Sequence, residues 1–190
     1  MNHDDSREGL DVIGDVHGHF DSLVSLLVKL GYCENSSGIY LHPAGRKALF
    51  VGDFLNRGPK IRETLQLIRP MVQAQAAFAV LGNHEFNVLG METPGVDGSP
   101  LRPHTAGNLD RVAETMAAFR DVPNEWNDNV QWMRSLPLSI ERAGMRASHA
   151  AWHPPSLKLI DGRTFENNSF LQAAFNRKSP EAKAVNVTLK

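Results

Sequence analysis

The sequence predicts an α/β fold, in which short buried strands alternate with helices. Two strand–helix pairs in succession carry this prediction. A mostly apolar run, Leu10–Ile13, stops at Gly14 and is followed by helically spaced apolar residues at 20–30. A second apolar run at 48–51 precedes a helical spacing at 59–73. The apolar content is 42% over 190 residues, which is enough to bury a sizeable core in a single domain spanning the chain.

The rest of the first half continues this order. Residues 39–42 and 48–51 flank a Pro-Ala-Gly turn and are typical of strand, turn, strand. Pro70 should kink or interrupt the second helix, because a proline removes a backbone N–H and clashes with the preceding turn. Residues 77–81 are again strand-like, and 86–89 resemble the start of a short helix.

A long loop is predicted at 90–107, where Gly, Pro and Thr are frequent and apolar periodicity is absent. Loops of this length are usually functional or mobile, so we expect a flexible segment. Arg102 and His104 would let it border a site and select the substrate; a disordered surface excursion is the alternative. Beyond it the sequence predicts helices around 109–119, 125–135 and 165–175, a hairpin of 138–141 with 145–148 across Ala143-Gly144, and a strand-like run at 184–189.

The nearly balanced charge argues against a protein that binds nucleic-acid polymers or membrane surfaces. The chain has 20 Lys+Arg and 21 Asp+Glu, a formal net charge of −1 and a pI near 6.7. Proteins that bind nucleic-acid polymers or membrane surfaces do so mainly through clustered positive charge, so neither partner is expected. Residues 1–9 have no apolar signal segment, and no run approaches the roughly 18 apolar residues of a membrane span. We therefore expect a cytoplasmic protein.

Four predicted strands are each followed directly by side chains that can bind a metal ion. In α/β folds, ligands bind beyond the carboxyl ends of the strands, so we expect these side chains to meet. A glycine closes three of the four strands, which lets the backbone turn sharply and pass close to the site. The side chains are Asp15 with His17, Asp53, Asn83, and His149.

Oxygen and imidazole ligands in one set suit Mn, Fe, Zn, Co or Ni rather than Ca, which prefers all-oxygen sites. Two neighbouring ions would need a shared carboxylate, and Asp53 is the candidate. Asn83 would add a neutral oxygen, which keeps the ions Lewis acidic. Taken singly, each of these residues is more often a turn, cap or surface residue. Three such blocks at three strand ends are harder to explain by turns alone.

Three short blocks resemble those of the calcineurin-like metallophosphoesterases. The sequence reads Gly-Asp-x-His-Gly at 14–18, Gly-Asp-x-x-Asn-Arg-Gly at 52–58 and Gly-Asn-His-Glu at 82–85. A fourth block, Ser-His-Ala at 148–150, fits the family pattern of a strand followed by histidine. The match is closest to the branch that holds the phosphoprotein phosphatases and the bacterial diadenosine tetraphosphatases. The three main blocks lie in the first half of the chain.

The resemblance implies a β-sheet sandwich flanked by helices, with two divalent metal ions at its edge. Manganese is expected first, with iron, zinc, cobalt or nickel as alternatives. By position, Asp15 and His17 would bind the first ion, and Asn83 and His149 the second. Asp53 would bridge the two.

The implied activity is hydrolysis of phosphate monoester or anhydride bonds by a hydroxide that the two ions activate. The chain would act as a phosphoprotein phosphatase or a dinucleoside polyphosphate hydrolase, on a phosphorylated small molecule, nucleotide or phosphoprotein. Arg57 would hold the substrate phosphate, and His84 would assist the leaving group. Asn56 stands where the family has an aspartate that pairs with this histidine, and a neutral partner favours protonated His84 less.

A second departure concerns a late metal-binding histidine of the family, which has no counterpart here. The last histidine is His153, expected beside the site or on the surface rather than as a ligand. The simplest expectation is a domain truncated at its C-terminus; a diverged site is the other. The alternative function is a non-catalytic metal- or phosphate-binding module that kept the fold.

Overall fold

The computed structural model describes residues 9–142 and 144–190. The prediction about a signal segment therefore lies almost wholly outside the described residues, as does Ala143 of the predicted hairpin turn. In chain order the elements are β1 (Leu10–Ile13), α1 (Phe20–Lys29), β2 (Cys33–Glu34), β3 (Tyr40–Leu41), β4 (Lys47–Phe50), α2 (Ile61–Gln73), β5 (Ala77–Ala79), α3 (Asn83–Glu92), α4 (Ala106–Asp110), α5 (Ala113–Ala118), α6 (Pro123–Ser135), β6 (Ser139–Arg142), β7 (Met145–Ser148), α7 (Pro154–Ile160), α8 (Asn168–Phe175) and α9 (Pro180–Leu189).

A parallel three-stranded sheet in the order β1-β4-β5 organises the fold. Ile13 lies opposite Phe50, and Phe50 lies opposite Ala79, so the three strands end at nearly the same level. Ala48, Leu49 and Phe50 are 0–1% exposed, which shows that β4 is covered on both faces. The loops that follow the three strands consequently open on one edge of the sheet, as predicted for an α/β fold.

The two strands predicted around the Pro-Ala-Gly turn form, but they belong to different sheets. β3 pairs with β2 in antiparallel register, with Cys33 opposite Leu41, whereas β4 joins the parallel sheet. Burial explains the separation: Ala48, Leu49 and Phe50 of β4 are buried, while Leu41 in β3 is 40% exposed. The β2–β3 pair is therefore a surface hairpin.

Helix α2 runs through Pro70 without interruption, so of the two predicted effects, a kink or an interruption, the interruption does not occur. The proline lies three residues before the end of the helix, so the missing N–H costs a single hydrogen bond near the end. The Ala74 N–H donates to the Pro70 carbonyl at 2.9 Å and continues the pattern. Buried Ile68 and Met71 hold both sides of this position against the core.

The strand-like run predicted at 184–189 is wrong, because these residues form most of α9. The helix start carries clear signals. The Ser179 side chain accepts a hydrogen bond from the Ala182 N–H, and Pro180 occupies the first turn. Ala182, Val185 and Leu189 are buried at helical spacing, and this face packs against α7 and α8.

Three other predicted elements have different bounds in the structure. The helix predicted at 109–119 is divided into α4 and α5, and α8 begins at Asn168, where Asn167 caps it. The loop predicted at 90–107 is shorter, since α3 extends to Glu92 and α4 begins at Ala106. The hairpin β6–β7 forms as predicted and lies beside β5, where the Leu81 N–H donates to the Pro137 carbonyl at 2.9 Å.

Among the described residues, none of the helices has the length and apolar character needed to cross a bilayer.

Candidate metal centre

Asp53 lies at the centre of the edge where the three parallel strands end. It follows β4 directly, has φ of +55° and is 3% exposed. Its Oδ1 accepts a hydrogen bond from the His84 backbone N–H at 2.9 Å. Its Oδ2 lies 3.7 Å from Nε2 of His17 and 3.5 Å from Nε2 of His149. One oxygen is thus anchored, and the other faces these two imidazoles and, at 3.9 Å, Nε2 of His84.

Both imidazoles are oriented by backbone carbonyls. His17 Nδ1 lies 2.8 Å from the Leu55 oxygen, and His149 Nδ1 lies 2.6 Å from the Val51 oxygen. A carbonyl only accepts, so Nδ1 of each ring carries the proton and Nε2 of the neutral ring presents a lone pair. A histidine that donates its other ring N–H to a carbonyl is typical of metal ligands.

His17 Nε2 provides the test of whether an ion fits this site. This nitrogen is buried and has no hydrogen-bond partner, although buried polar atoms almost always have one. Its lone pair points toward Asp53, where a cation would satisfy both groups. His149 Nε2 and Asn83 Oδ1, 2.9 Å apart, are likewise two acceptors that a shared cation would satisfy. The residues present therefore fit a metal ion.

Asp15 completes the set, with its Oδ2 at 3.6 Å from His17 Nε2 and its side chain about half exposed. Two groups of three residues could each hold an ion: His17, Asp53 and His84, and Asp15, Asp53 and His149. Within each group the donor atoms lie within 4.8 Å of one another. Asp53 belongs to both groups. The structure thus brings together every residue predicted as a metal ligand: Asp15, His17, Asp53, Asn83 and His149.

Glu85 shapes the loop that carries Asp53, a role that the sequence analysis did not assign. Its fully buried carboxylate accepts backbone N–H groups of Asp53 and Phe54 at 2.8 Å, Leu55 at 3.2 Å and Gly82 at 3.1 Å. Burial raises the pKa of Glu85 to about 7 and the Asp53 charge adds to this, while the N–H donors oppose it. The only sequence signal was its place in the Gly-Asn-His-Glu block.

Two of the block glycines allow the strand ends to touch. Gly52 has φ of +98°, and a Cβ there would lie 2.5 Å from the Gly82 Cα. A Cβ on Gly82 would lie 2.3 Å from the Asp53 nitrogen. No side chain fits between these backbones. Gly14 differs, since a Cβ there meets nothing within 4 Å and its φ is not positive, so the described residues place no such demand on it.

Asn56 and Arg57 flank His84 beside the ligand set. The Asn56 Nδ2 lies 2.7 Å from His84 Nδ1, so the predicted pairing is present. Exposed Arg57 places Nη2 at 3.4 Å from His84 Nε2. Burial lowers the pKa of His84, Asp53 opposes this shift, and His17 and Arg57 add to it. The net lowering of the pKa favours the neutral ring.

The remaining candidates lie outside this cluster. His153 is exposed and caps α7, accepting the Ser156 N–H at its Nδ1. Arg102 donates to Asn108, and His104 Nε2 bonds the Met91 carbonyl, so both hold the 93–105 loop against the neighbouring helices. Neither contact involves a residue of the metal centre.

The motif order and the geometry agree with a family model. The model of calcineurin-like phosphoesterases matches residues 10–181, which is most of the chain. The chain belongs to the calcineurin-like phosphoesterase family. The expected family and α/β fold are confirmed.

Two curated relatives of this calcineurin-like chain are both named as bis(5'-nucleosyl)-tetraphosphatases. A protein of Geobacillus sp. (strain WCH70), named bis(5'-nucleosyl)-tetraphosphatase PrpE [asymmetrical], is 48% identical over 75 residues, covering 40% of this chain and 30% of the relative. One of Aromatoleum aromaticum, named bis(5'-nucleosyl)-tetraphosphatase, symmetrical, is 30% identical over 142 residues, covering 75% of this chain and 44% of the relative. The matched part thus spans less than half the length of either relative.

A solved structure supports the fold over the whole chain. The cold-active protein-tyrosine phosphatase of a psychrophilic Shewanella sp. superposes with a TM-score of 0.56 at 20% identity, covering 100% of this chain and 61% of that one. At this identity the likeness shows the shared fold alone.

Proposed function

We propose that this chain carries the active site of a metal-dependent hydrolase that cleaves phosphoanhydride bonds of dinucleoside polyphosphates. The observation that carries the proposal is the geometry at Asp53. Its Oδ2 faces Nε2 of both His17 and His149 at 3.5–3.7 Å, and it belongs to two donor groups at once. This is the arrangement expected of a carboxylate shared by two ions.

In this proposal Asp15 and His17 would hold one ion and Asn83 and His149 the other, with Asp53 placed to be shared by both. Manganese is our first choice, because mixed carboxylate, amide and imidazole donors suit borderline divalent ions. When bound, such a pair of ions supplies positive charge to phosphoryl oxygens and makes water nucleophilic near neutral pH. Asp53 keeps its position because the His84 N–H fixes its other oxygen.

Arg57 and His84 form the phosphate side of the proposed site. Arg57 Nη2 can only donate, and it lies 3.4 Å from His84 Nε2, which carries the ring proton if Nδ1 accepts from Asn56. Two donors this close do not satisfy each other. A phosphoryl oxygen between them would accept from both, and such charge-assisted contacts are strong. His84 would then donate a hydrogen bond from Nε2–H to the leaving oxygen and stabilise the negative charge that develops there.

The substrate class rests on the curated relatives, both of which are named bis(5'-nucleosyl)-tetraphosphatases. We therefore place a dinucleoside tetraphosphate ahead of a phosphoprotein. A phosphoprotein is the second candidate, since the Arg57 and His84 pair would recognise any phosphoryl group. The expected cytoplasmic location stays a prediction.

The test is product release from diadenosine tetraphosphate, an aryl phosphate and a phosphopeptide with Mn²⁺, with and without chelator. Chromatography distinguishes asymmetrical cleavage into ATP and AMP from symmetrical cleavage into two ADP. Asp53→Ala should abolish turnover, whereas Asp121→Ala, an exposed aspartate in the turn before α6, should keep it.

Activity that survives Asp53→Ala would refute the proposed site. A wild-type chain that binds Mn²⁺ stoichiometrically but turns over none of the three substrates would instead support the non-catalytic metal-binding module. Preference for the phosphopeptide would keep the site and replace the substrate class.

A further inference from the structure

A buried hydroxyl in α5 reaches the Asn56–His84 pair from outside all four sequence blocks. Thr115 is 0% exposed, and its Oγ1 accepts the Asn56 backbone N–H at 3.1 Å. The same hydroxyl donates to Asn56 Oδ1 at 2.6 Å. Asn56 itself is 2% exposed, so no solvent contact competes with these bonds.

The asparagine amide has two unlike ends, and something must decide which end faces the histidine. A hydroxyl that already accepts the Asn56 N–H has its proton free to donate, and the amide oxygen is the group that can receive it. Nδ2 is then the end that faces His84, at 2.7 Å from Nδ1. Because Nδ2 only donates, Nδ1 must accept, and the neutral ring carries its proton on Nε2.

We propose that Thr115 is a positioning residue that fixes the orientation of the Asn56 amide and thereby the tautomer of His84. Its hydroxyl acts through Asn56, and it touches neither the substrate nor the metal ligands. The catalytic consequence rests on the proposed function: only the tautomer with a proton on Nε2 can donate a hydrogen bond to a leaving oxygen. The structural consequence does not depend on catalysis.

A carboxylate at position 56 would need no such partner. Its two oxygens are alike, so either would face His84 as an acceptor, and Nδ1 would carry a proton. An amide without a fixed partner can rotate by half a turn and present its oxygen to the ring, which moves the proton to Nδ1. Thr115 prevents that rotation.

The first test is spectroscopic and needs no turnover. Imidazole ¹⁵N resonances separate a ring nitrogen with a proton from one without, and His84→Gln identifies the signals of this ring. Spectra are recorded at mildly alkaline pH, with and without zinc, a diamagnetic substitute for manganese. We expect Nδ1 without a proton in the wild type and a shift of population toward protonated Nδ1 in Thr115→Val. Thr115→Ser, which restores the hydroxyl, should return the wild-type signals.

The matched control is Thr64, another threonine at 0% exposure, whose hydroxyl donates only to the Lys60 carbonyl of its own helix. Thr64→Val should leave the His84 signals unchanged. Asn56→Asp supplies an internal check, since adding Thr115→Val to it should cause no further change at the ring. Thr115→Ala replaces Thr115→Val if the latter does not fold.

The second test is kinetic. With aryl phosphates of increasing leaving-group pKa, Thr115→Val should lower kcat by about 10- to 100-fold for poor leaving groups, a fraction of what one hydrogen-bond donor to developing charge contributes. Good leaving groups and KM should change little. Unchanged His84 signals in Thr115→Val, or equal changes in Thr64→Val, would overturn the proposal. Absence of turnover in the wild type would remove the proposed function alone, because the ¹⁵N comparison still decides the role of Thr115.

Discussion

His149 Nε2 lies 3.5 Å from Asp53 Oδ2, although the two residues come from different sheets. Asp53 follows the central strand of the parallel sheet, and His149 follows the hairpin β6–β7. The His149 Nδ1 contact with the Val51 carbonyl, at 2.6 Å, ties the hairpin to the same strand end. An ion at this point would therefore link two parts of the fold.

Metal binding should stabilise the protein through this link. We expect calorimetry to give two Mn²⁺ per chain and a rise in Tm, since a ligand at 100 times its Kd adds about 2.7 kcal/mol to the free energy of unfolding. Asp53→Asn keeps the shape but removes the shared charge, so it should lose at least one ion and most of the Tm rise. Asp121→Asn should behave as the wild type. Two ions retained at wild-type affinity in Asp53→Asn would contradict the shared role.

Arg57 is expected to bind phosphate through the planar fork of its guanidinium. Arg57→Lys keeps the charge and loses the fork, so kcat/KM should fall by about 10- to 100-fold, which corresponds to about 1.4–2.7 kcal/mol. Arg120→Lys, at an exposed position of the α5–α6 turn, is the matched control. Equal kcat/KM in wild type and Arg57→Lys would show that a point charge suffices.

Gly52 is required by the close approach of two strand ends. Gly52→Ala would place a Cβ 2.5 Å from the Gly82 Cα and force the backbones apart. We expect a loss of at least about 3 kcal/mol in the free energy of unfolding, within the range of the severe substitutions. Gly45→Ala is the control, because Gly45 also has positive φ, +71°, but nothing lies within 4 Å. Its loss should be only the backbone strain, about 1–2 kcal/mol. If urea titrations gave similar losses of unfolding free energy for Gly52→Ala and Gly45→Ala, the positive φ rather than the contact with Gly82 would be the cause.

The sequence was sufficient for the α/β class and for placing the candidate metal ligands on one edge, because both depend on local order. A glycine and a ligand after each parallel strand place Asp15, Asp53 and Asn83 on one edge once the strands pair in register. His149 was found in the same way, although its strand lies in a hairpin beside β5 rather than in the parallel sheet.

What the sequence did not predict depends on contacts between distant residues. Thr115 meets Asn56 across 59 positions, and no spacing rule connects α5 with the second block. The run at 184–189 has strand-like composition, yet burial against α7 and α8 and the Ser179 cap make it a helix. Proline usually interrupts a helix, but Pro70 lies close to the end of α2, where the single lost hydrogen bond costs little.

Asp11 in β1 should make stability depend on acid pH. Its carboxylate accepts hydrogen bonds from Arg46, whose Nε lies at 2.9 Å, and from the Tyr32 hydroxyl at 3.0 Å. The Arg46 hydrogen bond is the main reason that the pKa of Asp11 lies below its ordinary value, although burial opposes it. A carboxyl group with a lowered folded pKa binds fewer protons when folded than when unfolded. Its stabilising contribution is therefore fully present above the unfolded pKa of about 3.9 and is lost as pH falls through the folded value.

Asp11→Asn removes this titration while keeping the side-chain shape. We expect the wild type to have the higher urea midpoint at neutral pH, a constant difference down to about pH 5, and a shrinking difference below about pH 4. Asp121→Asn, at an exposed position, supplies the baseline for general acid effects. If the difference between wild type and Asp11→Asn stayed constant down to pH values below the folded pKa, the Arg46 hydrogen bond would not be tied to the charge of Asp11. A difference that grew toward acid pH would reverse the sign of the linkage and place the lowered pKa in the unfolded chain.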